Sequence, residues 1–326
     1  MRMTKKNKED GAMSASVYID GQAGTTGLKI VSRLEARDDI TLLKIADEDR
    51  HNNDKRAEMM ARADFTFLCL PDDAAREAVA LAGGRTRFID ASTAHRTNPD
   101  WAYGFPELGA AFREKIASSD KTAVPGCYAS GFVSLLHPLV KAGIVPADYP
   151  VFAYATSGYS GAGKKAIAVY ESGDRPAEFG SPRQYALSQH HKHLPEMQKF
   201  SGLTHTPMFN PIICDYYSGM VVSVPLQTRT LGSKVTLAAV NETYRAHYEG
   251  ARLVTVNPVM ADEEQKSFFL ASNTLSGQNK LEIFTFGNDE QILLCARLDN
   301  LGKGASGAAV QCLNIMMGID ETTGLL

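Results

Sequence analysis

The sequence predicts two joined folding units, a doubly wound α/β unit followed by an α+β unit with a mainly antiparallel sheet. Three observations carry this. A β-rich run, Ser16–Asp20 (SVYID), passes directly into Gly21-Gln-Ala-Gly24-Thr-Thr-Gly27, after which Leu28, Ile30, Val31 and Leu34 recur at helical spacing. Strand and helix then alternate with short connections, and strands as apolar as Phe65–Leu70 (FTFLCL) belong to parallel sheets covered on both faces. From about Val151 the pattern changes to longer alternating strands.

Taken in order, Thr41–Ala46 reads as the second strand and a polar helical stretch follows it. Pro71-Asp72-Asp73 caps a helix running to about Ala82. Arg87–Asp90 and Lys121–Val124 complete a Rossmann-like sheet. An apolar helix is expected over Phe132–Val140, and strands over Gly219–Leu226, Leu281–Gly287 and Gln291–Leu298. Gly304–Gly318 returns to helical periodicity. The division expected is a flexible tail over 1–15, a Rossmann-like unit over 16–126, an α+β unit over 127–303 and a C-terminal helix over 304–326.

Composition narrows the function. With 326 residues, 44% hydrophobic and 22% charged, the chain reads as globular and large enough for two cores. A formal net charge of -3 without long basic runs argues against nucleic acid as a partner. No apolar stretch approaches a membrane-spanning length, and the first residues lack the apolar core of a signal peptide. Five scattered cysteines, never spaced as CxxC, form neither a disulfide framework nor a zinc site, and suggest a cytoplasmic protein. No metal is expected.

The turn from Gly21 to Gly27 is a candidate pyrophosphate site. Glycines at 21, 24 and 27 let backbone N–H groups approach an anion, with Thr25 and Thr26 opening the helix behind them. The spacing is GxxGxxG rather than GxGxxG, and an ordinary glycine-rich turn is the plain alternative. After the second strand, Asp47 and Glu48 would suit the free ribose hydroxyl of NAD, whereas Arg50, Lys55 and Arg56 would hold the phosphate of NADP. The residues alone leave both open.

Cys127 is the candidate nucleophile. It lies in Val124-Pro-Gly-Cys-Tyr-Ala-Ser-Gly131 between an expected strand and helix, where a helix N-terminus stabilises a thiolate. Cys69, Cys295 and Cys312 sit in apolar runs and read as packing residues. Three of the eight histidines cluster in Gln189-His-His-Lys-His-Leu-Pro-Glu196. On an extended segment His191 and His193 would face one side, with Pro195 favouring that geometry, and could supply an acid/base and a substrate donor. A solvated loop and, behind it, a metal site compete with that reading. The other histidines read as structural or surface residues.

Together GQAGTTG, CLPDDAAREAV, IDASTAHR, YGFPEL, PGCYASG, SGYSGAGKKAI, HKHLPEM and DNLGKGASGAAVQ resemble the N-acetyl-gamma-glutamyl-phosphate reductases, in particular their short form. They run in the family's order over nearly the whole chain. Ala129-Ser130 replace the Pro-Thr usual after Cys-Tyr. The resemblance implies NADPH held by the glycine turn, by Ser92 and by Ser157, Gly158, Ser160, Gly161 and Gly163, with Asn300 near the nicotinamide. It implies a homo-oligomer, dimer or tetramer, joined through the second domain's sheet. Cys127 would form a thioester from an acyl phosphate, with Arg96 on the leaving phosphate, His193 as acid/base, and His191 and Glu196 positioning the substrate. A related lysine-pathway or aspartyl acyl phosphate, a nucleotide-binding sensor without catalysis, and a thiol hydrolase are the alternatives.

Overall fold

Every apolar run that alternates with a helix in the first part of the chain joins one parallel sheet. The computed structural model describes residues 14–231 and 235–326. Of the tail expected over 1–15, residues 1–13 lie outside the described residues, and Ala15 already opens the first strand.

The elements of this part are β1 (Ala15–Asp20), α1 (Thr25–Leu34), β2 (Ile40–Leu43), α2 (Asn53–Arg62), β3 (Phe65–Leu68), α3 (Asp72–Ala82), β4 (Arg87–Asp90), β5 (Ala102–Tyr103), α4 (Ala110–Ser118) and β6 (Lys121–Ala123). The strand order is β2-β1-β3-β4-β6-β5, with every pair parallel. The chain leaves β1 towards β2, then crosses to β3 on the other side. That reversal opens a crevice at the carboxyl ends of β1 and β3. Tyr18, Met60, Leu68, Phe88 and Trp101 form a core against the sheet. The expected second strand stops at Leu43, not Ala46, because its one neighbour, β1, pairs with it only as far as Tyr18. The two-residue β5 escaped notice because it is too short to show a period.

By internal packing this unit comprises the described residues up to Pro106, Ala111–Val124 and Ser306–Leu326. The C-terminal helix Gly307–Met317 is tied in by Arg87, which donates to the Met316 carbonyl at 2.7 Å, and by Arg37, which donates to the Asn314 side chain at 2.6 Å. It is preceded by a π-turn, Gly302–Ser306, where an unbroken α-helix from Gly304 was expected.

The second unit, Glu107–Ala110 and Pro125–Ala305, has a seven-stranded sheet. Its elements are α5 (Cys127–Lys141), β7 (Phe152–Gly158), α6 (Lys164–Tyr170), β8 (Arg183–Gln184), α7 (Leu194–Ser201), β9 (Met208–Cys214), β10 (Met220–Gln227), α8 (Leu237–His247), β11 (Val254–Val256), α9 (Asp262–Ser267), β12 (Leu281–Gly287) and β13 (Gln291–Leu298). The order is β11-β12-β13-β10-β7-β9-β8; β11–β12 and β7–β9 are parallel and the remaining pairs antiparallel, as the mainly antiparallel reading expects. Helix α5 lies close on β10: a Cβ at Gly131 would stand 2.6 Å from a Val222 methyl. Tyr154, Val221, Phe286 and Leu293 line a groove on this sheet. No helix among the described residues is long and apolar enough to cross a membrane.

Helix α5 starts at Cys127 itself, not at Phe132. Tyr-Ala-Ser-Gly breaks the apolar pattern in sequence, yet small residues suit a helix turn packed inside, and the Ser130 hydroxyl returns to the Gly126 carbonyl at 3.2 Å.

Candidate active site

The turn after β1 is built by its glycines. Gly21 has φ +85° and a Cβ there would overlap the Cys69 carbonyl; one at Gly27 would lie 2.5 Å from the Gly21 carbonyl. Gly24 is the N-cap of α1, with no side-chain cap and no acidic residue in the first turn, which Thr25, Thr26 and Gly27 form. Bare N–H groups at a helix N-terminus, free of a Cβ wall, fit a dinucleotide pyrophosphate. Cys69 borders this turn; burial, then Asp90 and Asp20, push its thiol far up, so it stays protonated.

Arg56, grouped with Arg50 and Lys55 as a candidate for the phosphate of NADP, is engaged elsewhere. Arg56 is buried and ion-paired with Asp20 at 2.9 Å, and it also holds Asn53 at 2.8 Å. Its guanidinium is committed to the end of β1, since an unpaired charge inside would be costly. Arg50 and Lys55 remain exposed.

At the end of β4, Asp90 folds the segment that follows. It accepts from the Ser92 N–H and hydroxyl, each at 2.8 Å, and from His95 Nδ1 at 2.7 Å. The His95 ring stacks on Trp101 with centroids 4.0 Å apart. Arg96 comes next, buried rather than in a surface ion pair, with Nε on the Val124 carbonyl at 2.9 Å and Nη2 on the Ala91 carbonyl at 3.2 Å.

In the second unit, Cys127 is the first residue of α5 and is half-buried. Its N-cap Gly126 has no side-chain cap of its own; the Gly126 N–H donates instead to Glu196 at 3.1 Å, a carboxylate 1% exposed. The next residue, Tyr128, is the centre of an aromatic cluster: His191, His193 and Phe209 have ring centroids 5.6, 5.9 and 5.2 Å from it. The Tyr185 hydroxyl donates to the Tyr128 hydroxyl at 2.9 Å. Burial, then Tyr185 and Cys127, hold the Tyr128 phenol well above its ordinary range.

The histidines meet by a different route from the one expected. The segment is not extended: His193 is the N-cap of α7 with φ -87° and ψ -11°, and Pro195 sits in the helix's first turn. Proline is tolerated there because the missing N–H has no partner in the helix. His191 Nδ1 accepts from the His193 N–H at 3.1 Å, and the two rings stand edge to face 4.7 Å apart. His193 is buried and His191 half-buried, so the pair is no solvated loop. Among the described residues no group of three or more His, Cys, Asp or Glu could hold a metal ion.

The remaining candidates frame a second turn in this unit. Ser157 and Gly158 end β7; Ser160 and Gly161 lie in the 3-10 turn Tyr159–Ala162; Gly163, φ +85°, caps α6. A side chain at Gly158 would strike the Tyr216 and Tyr217 carbonyls at 2.6 Å. Asn300 ties this turn down, donating to Ser160 Oγ at 2.9 Å and accepting from the Gly219 N–H at 2.9 Å. Four residues on, Gly304 lies against the nucleophile, where a Cβ would come within 2.8 Å of the Cys127 Cβ. Between them Lys303 makes a fully buried ion pair with Glu107 at 2.7 Å. That pair, Tyr128 and Tyr185 were not singled out from sequence; Lys303 and Glu107 stand inside recognisable motifs, but their pairing links residues 196 apart.

Residues 16–119 match the semialdehyde dehydrogenase NAD binding domain, and residues 127–300 the semialdehyde dehydrogenase dimerisation domain. N-acetyl-gamma-glutamyl-phosphate reductase 2 of a Nostoc species is 45% identical over 322 residues, covering 95% of this chain and 98% of that protein. The N-acetyl-gamma-glutamyl-phosphate reductase of Brucella ovis is 45% identical over 311 residues, covering 94% and 100%. Among solved structures, aspartate semialdehyde dehydrogenase from Francisella tularensis superposes with TM-score 0.70 at 15% identity, covering 93% of this chain and 100% of that one. Aspartate semialdehyde dehydrogenase II from Vibrio cholerae gives 0.67 at 16%, covering 94% and 99%. At those identities the likeness is one of fold.

Proposed function

The chain belongs to the N-acetyl-gamma-glutamyl-phosphate reductase family, and we propose that it performs the reduction its relatives are named for, using NADPH and a covalent Cys127 intermediate. The observation that carries this reading is Cys127 at the first position of α5, one residue before the tyrosine that His191 and His193 surround.

Cys127 Sγ attacks the acyl carbon, the bond to the phosphate oxygen breaks, and phosphate departs with the electron pair, leaving a thioester. Arg96, its fork steadied by two backbone carbonyls, stabilises the leaving charge. NADPH, when bound, supplies the hydride that reduces the thioester carbonyl. His193 protonates the resulting oxygen and takes the proton back as the carbon–sulfur bond breaks and the aldehyde leaves. His191 holds the substrate. Glu196 positions the substrate with it, and by accepting from the Gly126 N–H it also steadies the turn that carries Cys127.

In this scheme residues 16–126 hold the cofactor, with Gly21, Gly24, Thr25, Thr26, Gly27 and Ser92 around it. Residues 127–303 carry the chemistry, and 304–326 return to the first unit. Ser157, Gly158, Ser160, Gly161, Gly163 and Asn300 complete the cofactor contacts. The dimerisation-domain match supports a homo-oligomer, and five free cysteines suit a cytoplasmic enzyme.

Phosphate-dependent reduction of NADP, the reverse reaction, tests the reading across aldehydes. N-acetylglutamate semialdehyde should surpass aspartate semialdehyde and the aldehyde one methylene longer, the latter by roughly 10–200-fold. Equal or better turnover of either competitor, or turnover that ignores phosphate, overturns it.

A further inference from the structure

Arg183 is a cation held ready without an anion. It lies in β8 opposite Ile213 of β9. Its guanidinium sits 3.5 Å from the Phe179 ring centre and 5.3 Å from that of Tyr170, and Nη2 donates to the Tyr170 hydroxyl at 2.7 Å. Nε is buried and has no hydrogen-bond partner. The other sheltered cations of this unit have acids: Arg175 has Asp215, Arg297 has Glu282, and Lys303 has Glu107. Half-buried Arg183 has none among the described residues. Keeping a positive charge out of water with no counter-charge is costly, while ring stacking and one hydroxyl fix its fork.

Two residues along, Tyr185 places its hydroxyl on that of Tyr128, the neighbour of Cys127. Residues two apart on an extended segment share a side and lie about 6.6 Å apart. A glutamyl substrate bonded through its side-chain acyl carbon carries its other carboxylate four carbon–carbon bonds away, roughly 5 Å. The stretch that follows is strained and anchored: Ala186 and Gln189 have φ of 51° and 59°, and Gln189 exchanges two hydrogen bonds with the Phe209 backbone at 3.0 and 3.1 Å. Strain at non-glycine residues persists where the surroundings over-determine it, and it gathers at ligand clamps.

We propose that Arg183 is a specificity-determining residue that binds the carboxylate the substrate carries away from its reacting carbon. The assignment rests on the reductase reading above. A planar fork suits a carboxylate, and it would separate this substrate from aldehydes lacking that charge.

The test crosses two changes in the reverse reaction: Arg183→Gln, and replacement of N-acetylglutamate semialdehyde by acetamidobutanal, the same aldehyde without its carboxylate. Each change alone should lower kcat/KM by about 10–100-fold. Together they should cost no more than either one, and KM for NADP and for phosphate should stay unchanged. Arg183→Lys should recover part of the loss with the natural aldehyde and none with the analogue. If the two losses multiply, so that Arg183→Gln loses the same factor against the wild type with either aldehyde, Arg183 only staples the Tyr170–Phe179 segment and the proposal is overturned. A wild-type enzyme inactive with both aldehydes would instead remove the reductase reading and this proposal with it.

Discussion

The chain uses a glycine-bearing strand-to-helix turn twice, and the two differ in what occupies the helix end. After β1, Gly24 caps α1 with no side chain to satisfy the first N–H groups. After β6, Gly126 caps α5 likewise, but the Glu196 carboxylate takes the Gly126 N–H and Cys127 fills the first helical position. The first turn is bare and suits an anion arriving from solution. The second is furnished from within, so its field acts on Cys127, a residue of the chain itself. In the proposed scheme one backbone device serves binding in one unit and nucleophile activation in the other, and the surrounding side chains decide which.

The sharpest break in that comparison is Cys127→Ala. It should lower kcat by about 10⁴-fold or more while NADPH affinity, measured by fluorescence titration, stays within twofold. Retained turnover would make the second turn a structural copy of the first. Next in size is the histidine pair. His193→Asn should cut kcat by about 10²–10⁴-fold, whereas His191→Asn should act mainly on KM. The opposite pattern would exchange their roles.

Gly27→Ala probes the bare turn. A Cβ 2.5 Å from the Gly21 carbonyl must push backbone against backbone. KM for NADPH should rise on the order of 10–100-fold with kcat nearly unchanged. A loss confined to kcat would show that this turn does more than bind.

The smallest effect lies away from both turns. Burial, then His137 and Lys141, lower the His247 pKa to about 4. In the unfolded chain its value is about 6.5, so the unfolded state takes up the proton first. The contribution of neutral His247 is therefore complete above about pH 6.5 and is lost as pH falls towards 4, on the order of 1 kcal/mol for a half-buried ring. Urea unfolding at pH 7 and pH 4.5 should give a smaller pH difference for His247→Gln than for the wild type. An unchanged difference would show that His247 contributes nothing to the pH dependence of stability.

The alternation of units, the glycine turn and Cys127 were legible because local sequence sets them: a run of apolar residues, a turn that excludes Cβ atoms, a cysteine where a helix opens. The start of α5 was misjudged because Tyr128–Gly131 are small or polar residues buried by tertiary contacts, not by periodicity. His191 and His193 were rightly grouped for a wrong reason, since Pro195 opens α7 instead of extending the chain. The role of Arg56 was hidden because its partner, Asp20, lies 36 residues away on β1. Pairings at that range leave no trace in spacing.

Single-turnover phosphate release, with the acyl phosphate and no NADPH, isolates the covalent step on Cys127. A rapid burst of about one phosphate per active site is expected. Acid quenching should leave the acyl group on the Cys127 peptide, as an added mass that hydroxylamine removes. No burst before NADPH is added, or an acyl group recovered on any other residue, would contradict that step.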